Sequence, residues 1–408
     1  MRRVVLYAAL AVVLAPFAAV AQSITLTEAD ALARLSPTSP RVRVIRAGIE
    51  LARADVLAAS RWPDPRMTFD RESVAGVTEN MTMVAQVLPI TGRRGLDIQA
   101  ASALVDASSN RVDEAVRRAR ADLRLALGQL VVAQVREREL IAARDRLQGL
   151  VEVLGKREAA GDAAGFDRLR AEREVLDIEA DRATAATDRG RAQATVAAFF
   201  SEPTVVAQIV AVDKTAAPSP LPPADVLIEH AESMRGELLA LRREVDAARL
   251  AGRAAERRRI PEPEVVAGTK SSTAAGGDLG SVITVHASIP LFDRSRAEKA
   301  LAQARGGQAE ARADAFRLAL RVEIAALRAA VLERRGTAER YRTAAVNGAN
   351  EIERIAQVSY DAGERGILEL LDAYRTGSTG RVRQAMLDAA VRQAEVELEF
   401  VSGWEIPS

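Results

Sequence analysis

The fold is decided by a stretch of sequence that occurs twice. It reads Gln86-Val87-Leu88-Pro89-Ile90-Thr91-Gly92-Arg93 in its first copy and Ala287-Ser288-Ile289-Pro290-Leu291-Phe292-Asp293-Arg294 in its second. A Pro-x-Pro element precedes each copy, at Pro63-Asp64-Pro65 and at Pro261-Glu262-Pro263. Because these landmarks recur in one order at a nearly constant offset of about 200 residues, the sequence predicts two tandem structural repeats.

The two repeats are assigned to residues 22–202 and 224–408. Between them, residues 203–223 carry prolines at positions 203, 218, 220, 222 and 223. Since proline favours extended backbone and ends helices and strands, this segment is predicted to be an extended connector.

Each repeat contains a predicted β-hairpin, at about residues 65–90 and 263–291. The hairpin tips, at residues 75–80 and 273–280, are predicted to be loops. Apolar and polar residues alternate most clearly in the run Val282-Ile283-Thr284-Val285-His286-Ala287. Each strand has about ten residues, which is the length of a tilted strand in an outer-membrane barrel. A buried hairpin of a soluble protein would give the same pattern, so the strands alone leave both interpretations open.

A long helical hairpin follows each β-hairpin, at about residues 93–200 and 294–401. In both, apolar residues recur at heptad spacing: Val105, Val112, Ala119, Ala126, Ala133, Leu140, Leu147 and Leu154, then Ala304, Ala311, Leu318, Ala325 and Leu332. Such a repeat predicts helices packed along a sustained seam. About 65 residues at about 1.5 Å each make a rod of roughly 100 Å. Gly161 and Gly363 mark the turns where the rods reverse.

The composition excludes several classes of protein. The chain has no cysteine, 57 Lys and Arg against 56 Asp and Glu, and a formal net charge of +1. The missing thiols exclude disulfides and thiolate metal sites, and the balanced charge argues against nucleic-acid binding. The two histidines, His230 and His286, are far apart, and no catalytic or nucleotide-binding motif is present. We therefore predict no enzyme activity, no cofactor and no metal site.

Residues 1–21 are predicted to be a secretory signal peptide. Arg2 and Arg3 precede an apolar run, and Ala19-Val20-Ala21 forms an A-x-A cleavage site. The rest of the sequence lacks an apolar run of the roughly 18 residues that a transmembrane helix needs. We therefore expect an exported protein, and we expect any membrane-spanning part to consist of strands.

Two hairpins supply four strands, which cannot close a barrel around a lumen. Because unpaired strand edges are not tolerated in lipid, a membrane protein with this sequence must complete its sheet with other copies, as a ring-shaped homo-oligomer. The alternative is an exported coiled-coil scaffold or tether without a pore. That alternative explains the heptads and the charge balance, but it does not explain the duplicated hairpins.

The sequence resembles the TolC family of outer-membrane efflux channels over essentially the whole mature chain. Besides the duplicated Pro-x-Pro elements, the similar motifs are residues 86–94, Tyr360-Asp361-Ala362-Gly363 and Leu368-Glu369-Leu370-Leu371-Asp372-Ala373. The short length and the stretch Pro89-Ile90-Thr91-Gly92-Arg93-Arg94 are most similar to the heavy-metal (cation) efflux branch of the family.

The resemblance implies a mainly α-helical fold with a β-barrel contribution in the membrane. The expected assembly is a homotrimer whose twelve-stranded barrel lies in outer-membrane lipid and continues into an α-helical tunnel in the periplasm. The implied function is the outer-membrane channel of a tripartite efflux pump that exports small molecules or metal cations. The implied partners are a periplasmic adaptor (membrane fusion) protein and an inner-membrane transporter of the RND type.

The resemblance also assigns roles to individual residues. It implies adaptor-docking tips at Gly161 and Gly363 and a periplasmic gate formed by Asp167, Tyr360, Arg365, Glu369 and Asp372. Glu369 and Asp372 lie three residues apart and share a helix face. A threefold tube would turn them into two rings of carboxylates that favour cations, whereas on an isolated helix such a pair is an ordinary solvated face.

Basic residues flank the predicted strands at the end that is joined to the helices. Pro89 and Pro290 mark the strand–helix junctions at this end. Around them the sequence places the arginines Arg61, Arg93, Arg94, Arg257, Arg258, Arg259, Arg294 and Arg296. Because an arginine stem can lie along apolar surface while its guanidinium binds phosphate, this set predicts a belt that contacts lipid phosphates.

Overall fold

The structure is a computed structural model that describes residues 24–161, 165–200, 206–212, 219–292 and 294–406. The predicted signal peptide at residues 1–21 lies outside the described residues. Within the described ranges, no helix has the combination of length and apolar character that crossing a bilayer requires.

Helices dominate the chain. In order they are α1 (Glu28–Arg34), α2 (Pro40–Ser60), α3 (Arg93–Ala159), α4 (Gly165–Ala197), α5 (Ala224–Met234), α6 (Gly236–Arg257), α7 (Arg296–Tyr341), α8 (Asn347–Asp361) and α9 (Ile367–Ser402). Helix α3 alone has 67 residues and is therefore about 100 Å long. The chain reverses between α3 and α4 and again between α8 and α9, as the turns at Gly161 and Gly363 led us to expect.

The strands form two sheets. They are β1 (Ile24–Leu26), β2 (Arg66–Val74), β3 (Val77–Val87), β4 (Ile209–Ala211), β5 (Pro263–Ser272) and β6 (Asp278–Ala287). The larger sheet is antiparallel throughout and has the order β2-β3-β5-β6, so the two hairpins lie side by side. The smaller sheet pairs β1 with β4 in parallel.

Part of the predicted proline-rich connector has regular structure. Residues 209–211 are strand β4, and Ile209 and Ala211 are buried in a core with Leu26 and Leu130. This part of residues 203–223 is therefore extended but packed, because its pairing with β1 and its apolar side chains hold it against the helices.

The turn at the tip of the first hairpin is shorter than the predicted loop. Residues 75–80 were predicted to be a loop, but β3 begins at Val77 and the turn consists of Ala75 and Gly76 alone. Both turn residues have positive φ, 51° and 77°. Two-residue turns of this mirror-image type match the twist of the flanking strands, which is why the pairing continues to the tip.

The predicted heptads are mostly buried in the first half of the chain and exposed in the second. In α3 the heptad is a seam within the chain, since Val112, Ala119, Ala126, Leu147 and Leu154 are buried. In α7 no other part of the described chain covers the heptad, because all of its members are exposed: Ala304, Ala311, Leu318, Ala325 and Leu332. The chain instead buries a neighbouring stripe of α7 that includes Ala302, Ala309, Leu320, Ile324 and Val331. Heptad spacing identifies an apolar stripe but not the partner that covers it.

The second long helix is also less regular than predicted. The sequence from about residue 294 to about residue 360 has no proline and a helical pattern, but a π-helical turn over Arg342–Val346 separates α7 from α8. Such a turn inserts one extra residue into the helix, so the residues after it point to a different side of the helix than an unbroken helix would give.

The helices next to the sheet form a layer with a definite order. Helix α3 packs between α2 and α6, and α6 packs in turn against α7. The layer order α2-α3-α6-α7 is therefore the same as the strand order, since α2 leads into β2, β3 into α3, α6 into β5 and β6 into α7. Helices α2 and α7 stand at the two ends of the layer, as β2 and β6 stand at the two edges of the sheet.

Candidate functional site

The four-stranded sheet has one apolar face that is open to its surroundings. Cross-strand pairing places Met67 opposite Val84 and connects Val84 through Ala267 to Ile283. The side chains of Met67, Val84 and Ile283 are 70%, 46% and 78% exposed. Phe69 belongs to the same face and is 64% exposed. Within the four strands, the charged residue on this face is Arg71, which lies near the hairpin tip.

The opposite face of the sheet carries the other charges. Arg66 pairs with Glu264 at 2.9 Å, and Lys270 pairs with Glu79 at 2.6 Å. His286 Nδ1 lies 3.7 Å from the same Glu264 carboxylate. A sheet with one exposed apolar face and one ionic face fits a boundary between lipid and water, because a soluble hairpin would cover its apolar face.

The two edges of this sheet are the outer sides of β2 and β6, which have no neighbouring strand in the described part of the chain. Each edge presents backbone N–H and C=O groups over about ten residues. In lipid these groups need a partner, because no water is available to bind them.

The strand ladder ends where the sequence placed the junctions. Leu88 donates its backbone N–H to the Pro263 carbonyl at 2.9 Å, and the next residue, Pro89, has no N–H to continue the ladder. Gly92, with φ of 72°, then starts α3. In the second half, Pro290 follows β6 at the corresponding position, and α7 begins after two residues with positive φ, Arg294 and Ser295.

The structure places all eight belt arginines at this end of the sheet, and several of them bind within the chain. Arg258 pairs with Glu298 at 2.5 Å, and Arg259 donates from Nε to the Arg294 carbonyl at 3.2 Å. Arg93 is half-buried against Glu262 at 3.5 Å. Arg94 donates from Nε to the Ser60 carbonyl at 3.0 Å and lies 5.6 Å from the centre of the Trp62 ring. These two hold the junction together. The exposed arginines are Arg61, Arg257, Arg258, Arg259, Arg294 and Arg296.

A group of exposed apolar residues at the same level was missed by the sequence analysis. Trp62, Ile90, Ile289 and Phe292 are between 55% and 95% exposed and lie in the segments that join strands to helices. Large apolar and aromatic side chains at this level are typical of a membrane interface. The signal was present in the sequence, but it lies in the segments flanking the strands rather than in the strands themselves.

The two helical turns lie at the far end of the rod and share one core. Gly161 and Gly363 both have positive φ, 95° and 75°. Just above them, Leu154 from α3, Tyr360 from α8 and Leu370 from α9 are buried in a common cluster. Both hairpins therefore end at the same place, and the turns are held in fixed positions relative to each other.

The structure brings two of the predicted gate residues together and leaves three exposed. Tyr360 is buried, with the Arg157 guanidinium 5.8 Å from its ring centre. Burial raises the pKa of the Tyr360 phenol, the Asp167 carboxylate raises it further, and Arg157 opposes both. Arg365, Glu369 and Asp372 are exposed on the surface near the turn.

An ion-pair cluster above the turns was not found from the sequence. Glu353 of α8 binds two arginines, Arg381 of α9 at 3.1 Å and Arg146 of α3 at 3.4 Å. Arg381 also binds Glu139 of α3 at 2.6 Å. A Cβ on Gly377 would lie 1.4 Å from Glu353 Oε1, so this glycine makes room for the carboxylate. The cluster joins the first helical hairpin to the second.

The cluster predicts a specific loss of stability. Glu353→Ala should destabilise the helical body by about 2 kcal/mol, because it leaves two neighbouring guanidinium groups without their shared carboxylate. The measurement is the midpoint of helix loss on heating, followed by circular dichroism. Glu351→Ala is the matched control, since Glu351 on the same helix forms an exposed pair with Arg354 and should contribute under about 0.5 kcal/mol. Equal midpoints for the two variants would contradict a structural role for the cluster.

These features define a class of protein in which a β-sheet suited to a membrane is joined to a long helical body outside the membrane. Residues 227–403 match the outer membrane efflux protein family. The cobalt-zinc-cadmium resistance protein CzcC of Cupriavidus metallidurans is 23% identical over 351 residues, which cover 85% of this chain and 83% of that protein.

Solved structures show the same fold. A membrane protein from Pseudomonas aeruginosa superposes with a TM-score of 0.75 at 20% identity, covering 92% of this chain and 93% of the other. The CmeC outer membrane channel of Campylobacter jejuni gives a TM-score of 0.76 at 12% identity, covering 92% and 85%. The predicted resemblance to the TolC family of outer-membrane efflux channels is thereby confirmed: the chain is similar to these proteins in sequence over residues 227–403 and in fold over most of its length. The predicted outer-membrane location agrees with that of these relatives.

Proposed function

We propose that the chain is the outer-membrane channel of a tripartite efflux pump and that it works as a homotrimer. Three four-stranded sheets would make a twelve-stranded barrel, and the helical layers would continue it as a tunnel in the periplasm. The observation that carries the proposal is the sheet with an exposed apolar face and two unpaired edges, because lipid accepts such a face but not such edges. A coiled-coil scaffold or tether has no use for this sheet.

The exported substrate is proposed to enter at the helical turns and to leave through the sheet. Gly161 and Gly363 form the surface on which a periplasmic adaptor docks, and an RND-type inner-membrane transporter supplies the substrate. Asp167, Tyr360, Arg365, Glu369 and Asp372 form the periplasmic gate, in which the carboxylates of Glu369 and Asp372 make rings that favour cations. The similarity to a cobalt-zinc-cadmium resistance protein supports metal cations as the exported substrate.

The exposed arginines at the sheet–helix junction are proposed to bind lipid phosphates. They are Arg61, Arg257, Arg258, Arg259, Arg294 and Arg296. They lie beside the exposed Trp62 and Phe292, an arrangement that suits the level of lipid headgroups. Pro89 and Pro290 mark the points where the chain leaves this level and enters the helices.

Purification in detergent and reconstitution test the proposal. The protein should run as a trimer that resists heat and protease, and it should conduct ions in a planar lipid bilayer. These results are expected because the strand edges of each chain are paired only in the assembly. A stable, water-soluble monomer with intact strands and no conductance would contradict the channel and favour the scaffold.

A further inference from the structure

The ionic face of the sheet places a histidine beside a carboxylate. His286 on β6 lies directly opposite Glu264 on β5 in the strand pairing, and His286 Nδ1 is 3.7 Å from Glu264 Oε2. The other carboxylate oxygen, Oε1, accepts a hydrogen bond from Arg66 Nη2 at 2.9 Å. Glu264 is therefore held by the arginine, and its free oxygen faces the imidazole. Sequence spacing did not reveal the pair, because the carboxylate belongs to the neighbouring strand.

The distance between these two side chains suits two ligands of one metal ion. At 3.7 Å, the imidazole nitrogen and the carboxylate oxygen are too far apart for a direct hydrogen bond. Zn²⁺ binds histidine nitrogen and carboxylate oxygen at about 2.0–2.2 Å, so two such ligand atoms of a tetrahedral ion are about 3.4 Å apart. A small rotation of the exposed imidazole would therefore bring both atoms onto one ion.

The chemistry of the pair indicates which cations it would bind and how tightly. An imidazole together with a carboxylate favours divalent transition-metal cations such as Zn²⁺ and Co²⁺ over Mg²⁺. In the part of the chain that the structure describes, no group of three or more His, Cys, Asp or Glu side chains could hold a metal ion. The pair would thus supply two ligands, and since His286 is 62% exposed, water would fill the other positions. Such a site binds weakly enough to release its cation, as conduction requires.

We propose that Glu264 and His286 form a transient binding site for divalent transition-metal cations that pass through the channel. This inference rests on the proposed function and names a point on the path of the substrate. Strand β5 begins at Pro263 and β6 ends at Ala287, so the pair lies at the end of the sheet that is joined to the helices. A cation that leaves the helical part meets this level of the sheet first.

The charges on the rest of the ionic face also favour cations. Besides Glu264, the strand pairing assigns to this face four carboxylates and two basic side chains: Asp70, Glu72, Glu79, Asp278, Arg66 and Lys270. The face is therefore negatively charged in balance, which raises the local concentration of cations beside it. A cation released by the pair would stay in a favourable potential along the strands towards the hairpin tips.

Histidine modification tests the site in the unaltered chain, because the sequence contains only two histidines. The protein is purified in detergent with a histidine-free tag and treated with diethylpyrocarbonate, and mass spectrometry follows each histidine separately. Saturating Zn²⁺ should slow the modification of His286 by at least about tenfold, because one ring nitrogen is then bound to the metal and the other carries the proton. His230, whose Nε2 lies 3.2 Å from the Gly403 carbonyl oxygen, is the internal control and should react at an unchanged rate. Mg²⁺ should protect neither histidine.

Two substitutions should move the Zn²⁺ affinity in opposite directions. Glu264→Gln removes the anionic ligand, so the Kd for Zn²⁺, measured from the protection of His286, should rise by at least about tenfold. Arg66→Gln removes a positive charge beside the ion and frees the carboxylate, so the Kd should fall by at least about threefold. Glu72→Gln is the matched control: it removes an exposed carboxylate near the hairpin tip of the same face, about 20 Å along the strand, and should leave the Kd unchanged.

The outcomes separate this inference from the function on which it rests. Protection of His286 by Zn²⁺, with opposite shifts in the two variants, supports the site. Equal modification rates of His286 with and without Zn²⁺ overturn it, and so does protection that Glu264→Gln leaves unchanged. A protein that conducts ions in a bilayer but shows no protection keeps the channel and loses the site. Protection in a protein that conducts no ions keeps the metal site and removes the channel.

Discussion

Replacing Glu369 and Asp372 together, as Glu369→Gln and Asp372→Asn, should remove most of the cation preference of the reconstituted channel. Both carboxylates are exposed at the start of α9, and a trimer would bring six of them to one narrow opening. Charges crowded in a narrow, poorly solvated space act strongly on passing ions. Block by a trivalent cation added on the helical side should weaken by at least about tenfold, or about 1.4 kcal/mol. Single-channel recording measures both effects.

The matched control is Glu179→Gln with Asp181→Asn, which neutralises two exposed carboxylates on α4 about 20 Å from the turn. This control should keep the cation preference and the block. The amount of trimer should be the same for both double variants, because exposed helix-face charges contribute little to stability. If the Glu369 and Asp372 amides retain preference and block, the two residues are a solvated face and the constriction lies elsewhere.

Valine at either turn glycine should abolish export while leaving insertion into the outer membrane intact. Gly161 and Gly363 have φ of 95° and 75°, a region that a β-branched residue adopts only at a cost of about 1–2 kcal/mol or more. Apart from the adjoining residues, no atom of the described part of the chain lies within 4 Å of a Cβ added at either position, so the effect would come from the backbone rather than from a clash. Because the turns are the proposed docking surface, distorting them should disconnect the channel from its adaptor.

Export is measured as resistance of cells to the pump's substrate, and docking as crosslinking to the adaptor. Gly348→Val is the matched control: Gly348 lies in α8 with helical backbone and also has free space around a Cβ. This variant should export normally. Normal export and normal adaptor crosslinking in both Gly161→Val and Gly363→Val would remove the turns from the mechanism.

Several features were predictable because they depend on short stretches of sequence. The capping box at the start of α1 is an example: Thr27 and Asp30 are three residues apart, and the structure shows both hydrogen bonds that define a capping box, at 3.1 and 3.2 Å. Similarly, Pro89 ends the strand ladder because proline has no N–H, and Gly363 forms a turn because glycine accepts positive φ. Each of these effects acts within one or two turns of the backbone.

Features that depend on distant parts of the chain were predicted poorly or missed. Glu353 looks like an ordinary surface glutamate until α3 and α9 bring Arg146 and Arg381 beside it. The heptad of α7 has the spacing of a packed seam, yet all of its members are exposed in this chain. Spacing cannot distinguish a stripe that packs on α6 from one that is left for a neighbouring copy.

The sequence by itself determined the elements of this protein: paired hairpins with strands of about ten residues, rods of roughly 100 Å, and glycine turns at their ends. Periodicity and chain-breaking residues encode these directly. Only the tertiary structure decided that the two hairpins form one sheet, that its apolar face is open, and that α2 and α7 are left uncovered at the ends of the helical layer. These features depend on which segments, separated by about 200 residues, pack together, and that choice is made by the summed burial and pairing of the whole chain rather than by any local pattern.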